Sequence, residues 1–194
     1  MTASADIGAE IIVHLARLAQ SGGDHRLTTA QWSALRFFAR ANRLSRTPSA
    51  FSAFHATTRG TASQTVKSLV ELGLLERHRS ESDGRSVRYD LTEAGREALA
   101  DDPLRALSER LEQLPESERG QVLGALQTIA GDLAVIRESN AFGTCADCAY
   151  CDSGADRSSF CRCAAETLRV CDMEALCVEF RPRNAQGDPQ EHAH

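Results

Sequence analysis

All seven cysteines of this 194-residue chain fall in one 33-residue stretch near the C-terminus, and the first 144 residues contain none. The stretch reads Cys145-x2-Cys148-x2-Cys151-x9-Cys161-x-Cys163-x7-Cys171-x5-Cys177. Cysteines used only for packing would be spread through the chain. Thiols held within reach of one another point instead to a metal or a thiol redox centre. The chain therefore divides into a cysteine-free body, stabilised by apolar burial, and a small module organised around its thiols.

Composition narrows the classes. A hydrophobic share of 42% and a charged share of 25% are globular values. There is no apolar run of about 18 residues, so no membrane span is expected. The opening MTASADIGAE has neither a basic flank nor an apolar stretch, so no signal peptide is expected, and a reducing cytoplasm is the expected location. In that compartment clustered cysteines serve as metal ligands or redox thiols, and an odd count fits a closed disulfide set poorly. The net charge of −5 argues against nucleic acid until it is mapped. Residues 28–100 carry 11 basic against 7 acidic side chains, and the remainder 11 against 20. Phosphate binding follows the local field, so the basic middle outweighs the acidic total. The first 144 residues show no cofactor fingerprint, phosphate loop or nucleophile–base constellation, and no enzyme is expected.

The apolar periodicity predicts a mainly α fold with a small β wing. Ile7, Ile11, Leu15 and Leu18 recur at helical spacing over 3–20, with Ser21-Gly22-Gly23 as the stop. A second helix is predicted over 29–42, capped by Thr29, with Trp32, Leu35, Phe38 and Ala39 inward. Thr47-Pro48 opens a third, with Ala50, Phe51 and Phe54 apolar. Thr58 caps a fourth over 59–72, with Ala62, Val66 and Leu69 inward and Gly73 as its left-handed stop. The period then changes. Residues 74–80 and 86–91 read as two strands joined by a turn at 81–85. A helix from Thr92 is interrupted at Asp101-Asp102-Pro103 and resumes to about Gln113. Residues 116–138 form a long amphipathic helix through Val122, Leu126, Ile129, Leu133 and Ile136.

Helix, tight turn, helix and basic hairpin is the plan of a winged helix-turn-helix. Opposite its apolar stripe, helix 59–72 offers Arg59, Thr61, Ser63, Gln64, Lys67 and Ser68, with Thr58 at its start. Arginine and glutamine can read guanine and adenine edges; threonine, serine and lysine mainly hold phosphates. The hairpin carries Arg77, Arg79, Arg85 and Arg88, with Arg85 at its tip, where a narrow minor groove admits arginine.

Five stretches carry a resemblance. They are Thr47-Pro48-Ser49-Ala50-Phe51-Ser52, residues 58–66, residues 69–77, Asp83-Gly84-Arg85 and Leu91-Thr92-Glu93-Ala94-Gly95. In this order and spacing the chain resembles the multiple-antibiotic-resistance regulator (MarR) family. The resemblance implies an obligate homodimer, built from N- and C-terminal helices, that binds a pseudo-palindrome in double-stranded DNA. It also implies that Asp83 orients Arg85. The arginine often found between them is Gly84 here, which weakens the expected phosphate contact of the wing.

Tetrahedral metal sites draw thiolates from two chain segments, and Cys-x2-Cys supplies two from one knuckle. Cys145 and Cys148 form such a knuckle, with Cys163 and Cys177 expected to complete it and Cys161 as the alternative third ligand. Cys151 and Cys171 are then surplus. The ending Cys177-Val178-Glu179-Phe180-Arg181-Pro182 resembles small bacterial modules of the form Cys-x2-Cys…Cys…Cys-x-Glu-Phe-x-Pro, and cysteine-rich tails on some members of the regulator family. The run Cys145-x2-Cys148-x2-Cys151 matches the compact spacing of iron–sulfur proteins, without their closing Cys-Pro. An iron–sulfur cluster is the first expectation and zinc the second, ahead of a metal-free thiol switch.

The expected organisation is a dimerisation helix at 1–27, a DNA-binding domain at 28–100, dimerisation helices at 101–140, the cysteine module at 141–182 and a disordered tail at 183–194. The expected function is a repressor whose operator binding answers to the cysteine centre through the packing of helix 116–138. The rival reading is a regulator with a structural zinc and a small-molecule effector.

Overall fold

The structure is a computed structural model that describes residues 3–21, 26–79, 87–153 and 159–183. Seven α-helices appear among them: α1 (Ala3–Ser21), α2 (Thr29–Arg40), α3 (Pro48–Phe54), α4 (Arg59–Glu71), α5 (Glu93–Ala98), α6 (Arg105–Glu112) and α7 (Glu116–Ile136). A hairpin of β1 (Leu75–Arg79) and β2 (Val87–Leu91) follows α4, with Leu75 opposite Leu91 and Arg79 opposite Val87. The expected hairpin turn and the residues Asp83, Gly84 and Arg85 lie outside the described residues, as does the tail beyond Arg183. No described helix is long and apolar enough to cross a membrane.

Side-chain caps start four of these helices. Thr47, Thr58 and Thr92 accept from the backbone N–H groups of Ala50, Thr61 and Gly95. The cap of α2 is Thr28, one residue before the expected Thr29. Gln31 explains the difference. Its N–H donates to the Thr28 hydroxyl at 3.3 Å, and its side-chain oxygen accepts from Thr28 N–H at 2.8 Å. That reciprocal pair needs a partner three positions after the cap, which places the cap at Thr28. Gly73 adopts the expected positive φ of 71° and ends α4.

One core holds the winged helix together. Trp32, Leu35, Phe37 and Phe38 of α2 meet Ala50 and Phe51 of α3, then Ala62, Val66 and Leu69 of α4, with Leu75 and Leu91 closing it from the hairpin. The apolar stripe of α2 is rotated from the expected one: Phe37 is buried and Ala39 is exposed. The phenyl ring buries far more apolar surface than a methyl group, so α2 turns its larger side chain inward. Phe37 sits edge-on to Phe38 at 5.4 Å and tilted against Phe51 at 5.6 Å. Its third neighbour, Phe54, meets Phe142 edge-on at 4.9 Å, beyond the end of α7. Phe54 is thus less an internal core residue than a joint to the C-terminal part.

The helices flanking the winged helix are different. Ile7, Ile11 and Leu18 of α1 and Leu126, Ile129 and Leu133 of α7 are each between 41% and 59% exposed.

The cysteine module is built from short strands. β3 (Gly143–Thr144) pairs with β7 (Leu176–Cys177), and β4 (Cys151–Ser153), β5 (Ser159–Cys161) and β6 (Glu166–Leu168) form an antiparallel sheet.

A close approach joins α5 to the hairpin. A Cβ on Gly95 would stand 2.1 Å from the carbonyl oxygen of Leu74, so only glycine fits. Gly95→Ala should lower the unfolding free energy by about 1–3 kcal/mol in urea titration, the range for forced overpacking. An unchanged midpoint would mean that α5 shifts freely from the hairpin.

Candidate nucleic-acid interface and cysteine centre

On α4 the caps and the apolar stripe decide which side chains remain outside. With Ala62, Val66 and Leu69 inward, Arg59, Thr61, Ser63, Gln64 and Lys67 are exposed. Arg59, Ser63 and Lys67 recur every fourth residue and share one face. Lys67 lies 3.7 Å from Glu71, with both side chains more than 60% exposed, so this pair holds the lysine weakly. Two expected contacts are already engaged. The Thr58 hydroxyl caps the helix, and Ser68 turns toward α2, donating to Thr65 O at 2.8 Å and accepting from Gln31 Nε2 at 3.1 Å. In the hairpin Arg77 is exposed, opposite Tyr89. Arg79 occupies the last position of β1; its side chain is outside the described residues, as are Asp83 and Arg85.

The cysteines sort into two groups. Cys145, Cys148, Cys151, Cys161 and Cys177 are buried together with Leu168, while Cys163 and Cys171 are exposed. The β3–β7 pairing sets Cys177 opposite Gly143, beside Cys145, and the β4–β5 pairing sets Cys151 directly opposite Cys161. The expected third ligand, Cys163, is therefore the more exposed of the Cys-x-Cys pair, and its alternative, Cys161, is the buried one. The reason is where the strand ends: Cys161 closes β5 with its side chain buried, and Cys163, which a continued strand would place on the same face, lies beyond it. Desolvation first, and then the charges of Glu179, Cys161, Cys177 and Cys148, push the exposed Cys163 thiol up.

A hydrogen bond between two thiols favours one thiolate at this centre. The Cys145 thiol is bonded to Cys177, which lowers Cys177 to about 6. The same bond, with burial, pushes Cys145 up. Arg181 N–H donates to Cys148 Sγ at 3.5 Å, and Asn42 Nδ2 to Cys145 Sγ at 3.7 Å. The ending 177–182 wraps the knuckle: Ala149 N–H donates to Arg181 O at 2.7 Å, and Pro182 bridges to Cys148. Among the described residues no three His, Cys, Asp or Glu side chains converge as they would around a bound ion. The chemistry of the donor set nonetheless fits a thiophilic metal: buried thiols, one of them with a depressed pKa, and N–H groups directed at sulfur.

Sequence reasoning missed Asn42, Arg43 and Ser45, in the turn between α2 and α3. Asn42 and Ser45 are buried, at 1% and 0% exposure. Ser45 Oγ accepts from Val178 N–H at 3.0 Å, and Asn42 N–H donates to Leu176 O at 2.8 Å. The Arg43 guanidinium binds Glu166 and donates to Thr167 O at 2.9 Å. These partners lie more than 100 positions away in sequence, and no local pattern signals them.

Residues 17–86 match the sequence model of the MarR family. The fold is that of the MarR winged helix. A MarR transcriptional regulator from Methanosarcina mazei Go1 superposes with a TM-score of 0.54 at 23% identity, over 68% of this chain and 99% of that one. A MarR/EmrR family regulator from Acinetobacter sp. ADP1 gives 0.54 at 19% identity, over 69% and 98%. The transcriptional regulator SlyA gives 0.53 at 20% identity, over 69% and 97%. Each of these structures is thus matched almost end to end, with part of this chain left over. No curated protein sequence matches the chain.

In the reduced, metal-free protein one thiolate should titrate with a midpoint of about 6, followed by ultraviolet thiolate absorbance, and Cys177→Ser should abolish that step. A first step at the ordinary thiol value of 9.0 would show that Cys145 and Cys177 share no proton.

Proposed function

We propose that this chain is a homodimeric DNA-binding transcriptional regulator, acting as a repressor. Its grip on a pseudo-palindromic operator is tuned by a metal centre held by its cysteines, an iron–sulfur cluster in preference to zinc. The observation that carries this reading is a MarR winged helix, with an open polar face on α4, joined in one chain to a core of five buried thiols.

Support for DNA binding comes from Arg59, Gln64 and Lys67, which no core contact consumes, and from the net positive charge of residues 28–100. Support for the dimer comes from α1 and α7. Their apolar rows are too extensive for a monomer surface, and helices at both ends of the winged helix suit a two-fold arrangement. Burial favours Cys145, Cys148, Cys151, Cys161 and Cys177 as the pool from which ligands are drawn, with Cys163 within electrostatic range of the group. A bound cluster would supply sensitivity to redox state, oxygen or iron. The protein supplies sulfur ligands and the N–H groups that orient them.

Two measurements test the reading. Against an operator recovered from a random duplex pool, Arg59→Ala or Gln64→Ala should weaken binding by about 5- to 100-fold, the usual worth of a base contact. Unchanged affinity would remove α4 as the reader. Protein purified without oxygen should contain iron and acid-labile sulfide and absorb broadly in the visible. A colourless protein with one zinc per chain would replace the cluster by a structural zinc and direct the search to an organic effector.

In sedimentation, Leu126→Asp should shift the protein toward monomer, since a buried unpaired charge costs several kcal/mol. A dimer that tolerates aspartate there would place its interface elsewhere.

A further inference from the structure

The cysteine centre could act on DNA binding by two routes. One is α7, which precedes the module in the chain. It ends at Ile136, and only Ala134 of its side chains is buried. The other is the turn at 41–47, which the module grips directly.

Asn42 has two ends, each engaged. Its side-chain oxygen accepts from Leu44 N–H at 3.1 Å and Ser45 N–H at 2.9 Å, which shapes the turn. Its amide nitrogen donates to Cys145 Sγ at 3.7 Å. Its backbone N–H is bound by Leu176, the residue before Cys177, and Ala41 bridges to Leu176 in parallel. Ser45 holds Val178, the residue after Cys177. Asn42 and Ser45 are buried, so water cannot replace a bond that is lost. A displaced sulfur therefore moves the turn or leaves a buried polar group unpaired.

The far side of the turn touches both DNA-reading parts. Arg46 O accepts from Tyr89 N–H at 2.9 Å, and the Arg46 guanidinium pairs with Asp90, so β2 of the wing is tied to the turn. Thr47 caps α3, and α3 packs on α4 through the buried Phe51, Ala62 and Val66.

We propose that filling the cysteine core with metal is transmitted to the recognition helix and the wing through Asn42 and Ser45 of this turn, and not through α7. Asn42 and Ser45 are positioning residues that touch neither metal nor DNA. The proposal rests on the regulator reading above, but it names a different set of moving parts.

Amide hydrogen exchange on the full-length protein tests it. The reduced, metal-free protein is compared with the same protein after zinc chloride, or after ferrous iron with sulfide under argon; metal uptake is measured separately. Filling should change exchange in residues 41–47 and 87–91 while 116–136 stays as before. In parallel, filling should change affinity for the recovered operator by about tenfold, and Asn42→Ala or Ser45→Ala should take up metal yet reduce that change to about twofold or less. Metal uptake with altered exchange confined to 116–136, or with a full response in both variants, overturns the proposal and leaves the metal-regulated reading standing. Failure to take up either metal overturns both.

Discussion

One buried amide, Asn42, joins two parts of the chain that lie 103 positions apart. The turn that carries it also holds Leu176, Val178 and Glu166 of the cysteine module, and the amide adds a bond to a thiol. With it, the shape of the α2–α3 turn depends on where the sulfur of Cys145 stands. A neutral amide suits this place because it accepts and donates at once, from two ends of one rigid plane. Arg43 reinforces the joint with ion pairs to Glu166 and Asp172, and Phe54 against Phe142 adds an apolar contact beside it. Amide, ion pair and aromatic contact together make the module part of the folded body.

The charge distribution follows the same division. The basic surplus lies in residues 28–100, where the field at a phosphate backbone would be felt, and the acidic surplus lies outside it. Inside the module acidic groups have local work. Asp172 is buried, accepting from Arg169 N–H at 3.0 Å and facing Arg43. The module therefore offers its carboxylates inward, toward the joint, as well as to solvent.

How the helices begin and end was legible in the residues themselves. Thr47-Pro48, Thr58 and Gly73 act within a few positions of where they stand, and capping and turn chemistry are local. The reading slipped where two local choices competed. Thr28 and Thr29 are equal as caps until Gln31 is counted, and Phe37 and Ala39 lie about 100° to either side of Phe38, so the stripe can be drawn toward either one. Cys161 and Cys163 pose the same problem more sharply. They are two residues apart with identical chemistry, and only the end of β5 separates an inner from an outer place.

By itself, then, the sequence determined the winged-helix plan, the open polar face of α4 and the presence of a thiol-rich module, because periodicity, caps and cysteine spacing are properties of neighbouring residues. Which thiols gather, and what they touch, was decided only in three dimensions. Asn42, Arg43 and Ser45 read as an ordinary polar turn between two helices. Their partners at Cys145, Glu166 and Val178 become partners only when the chain folds back on itself, since buried hydrogen bonds answer to proximity in space and not to spacing along the chain.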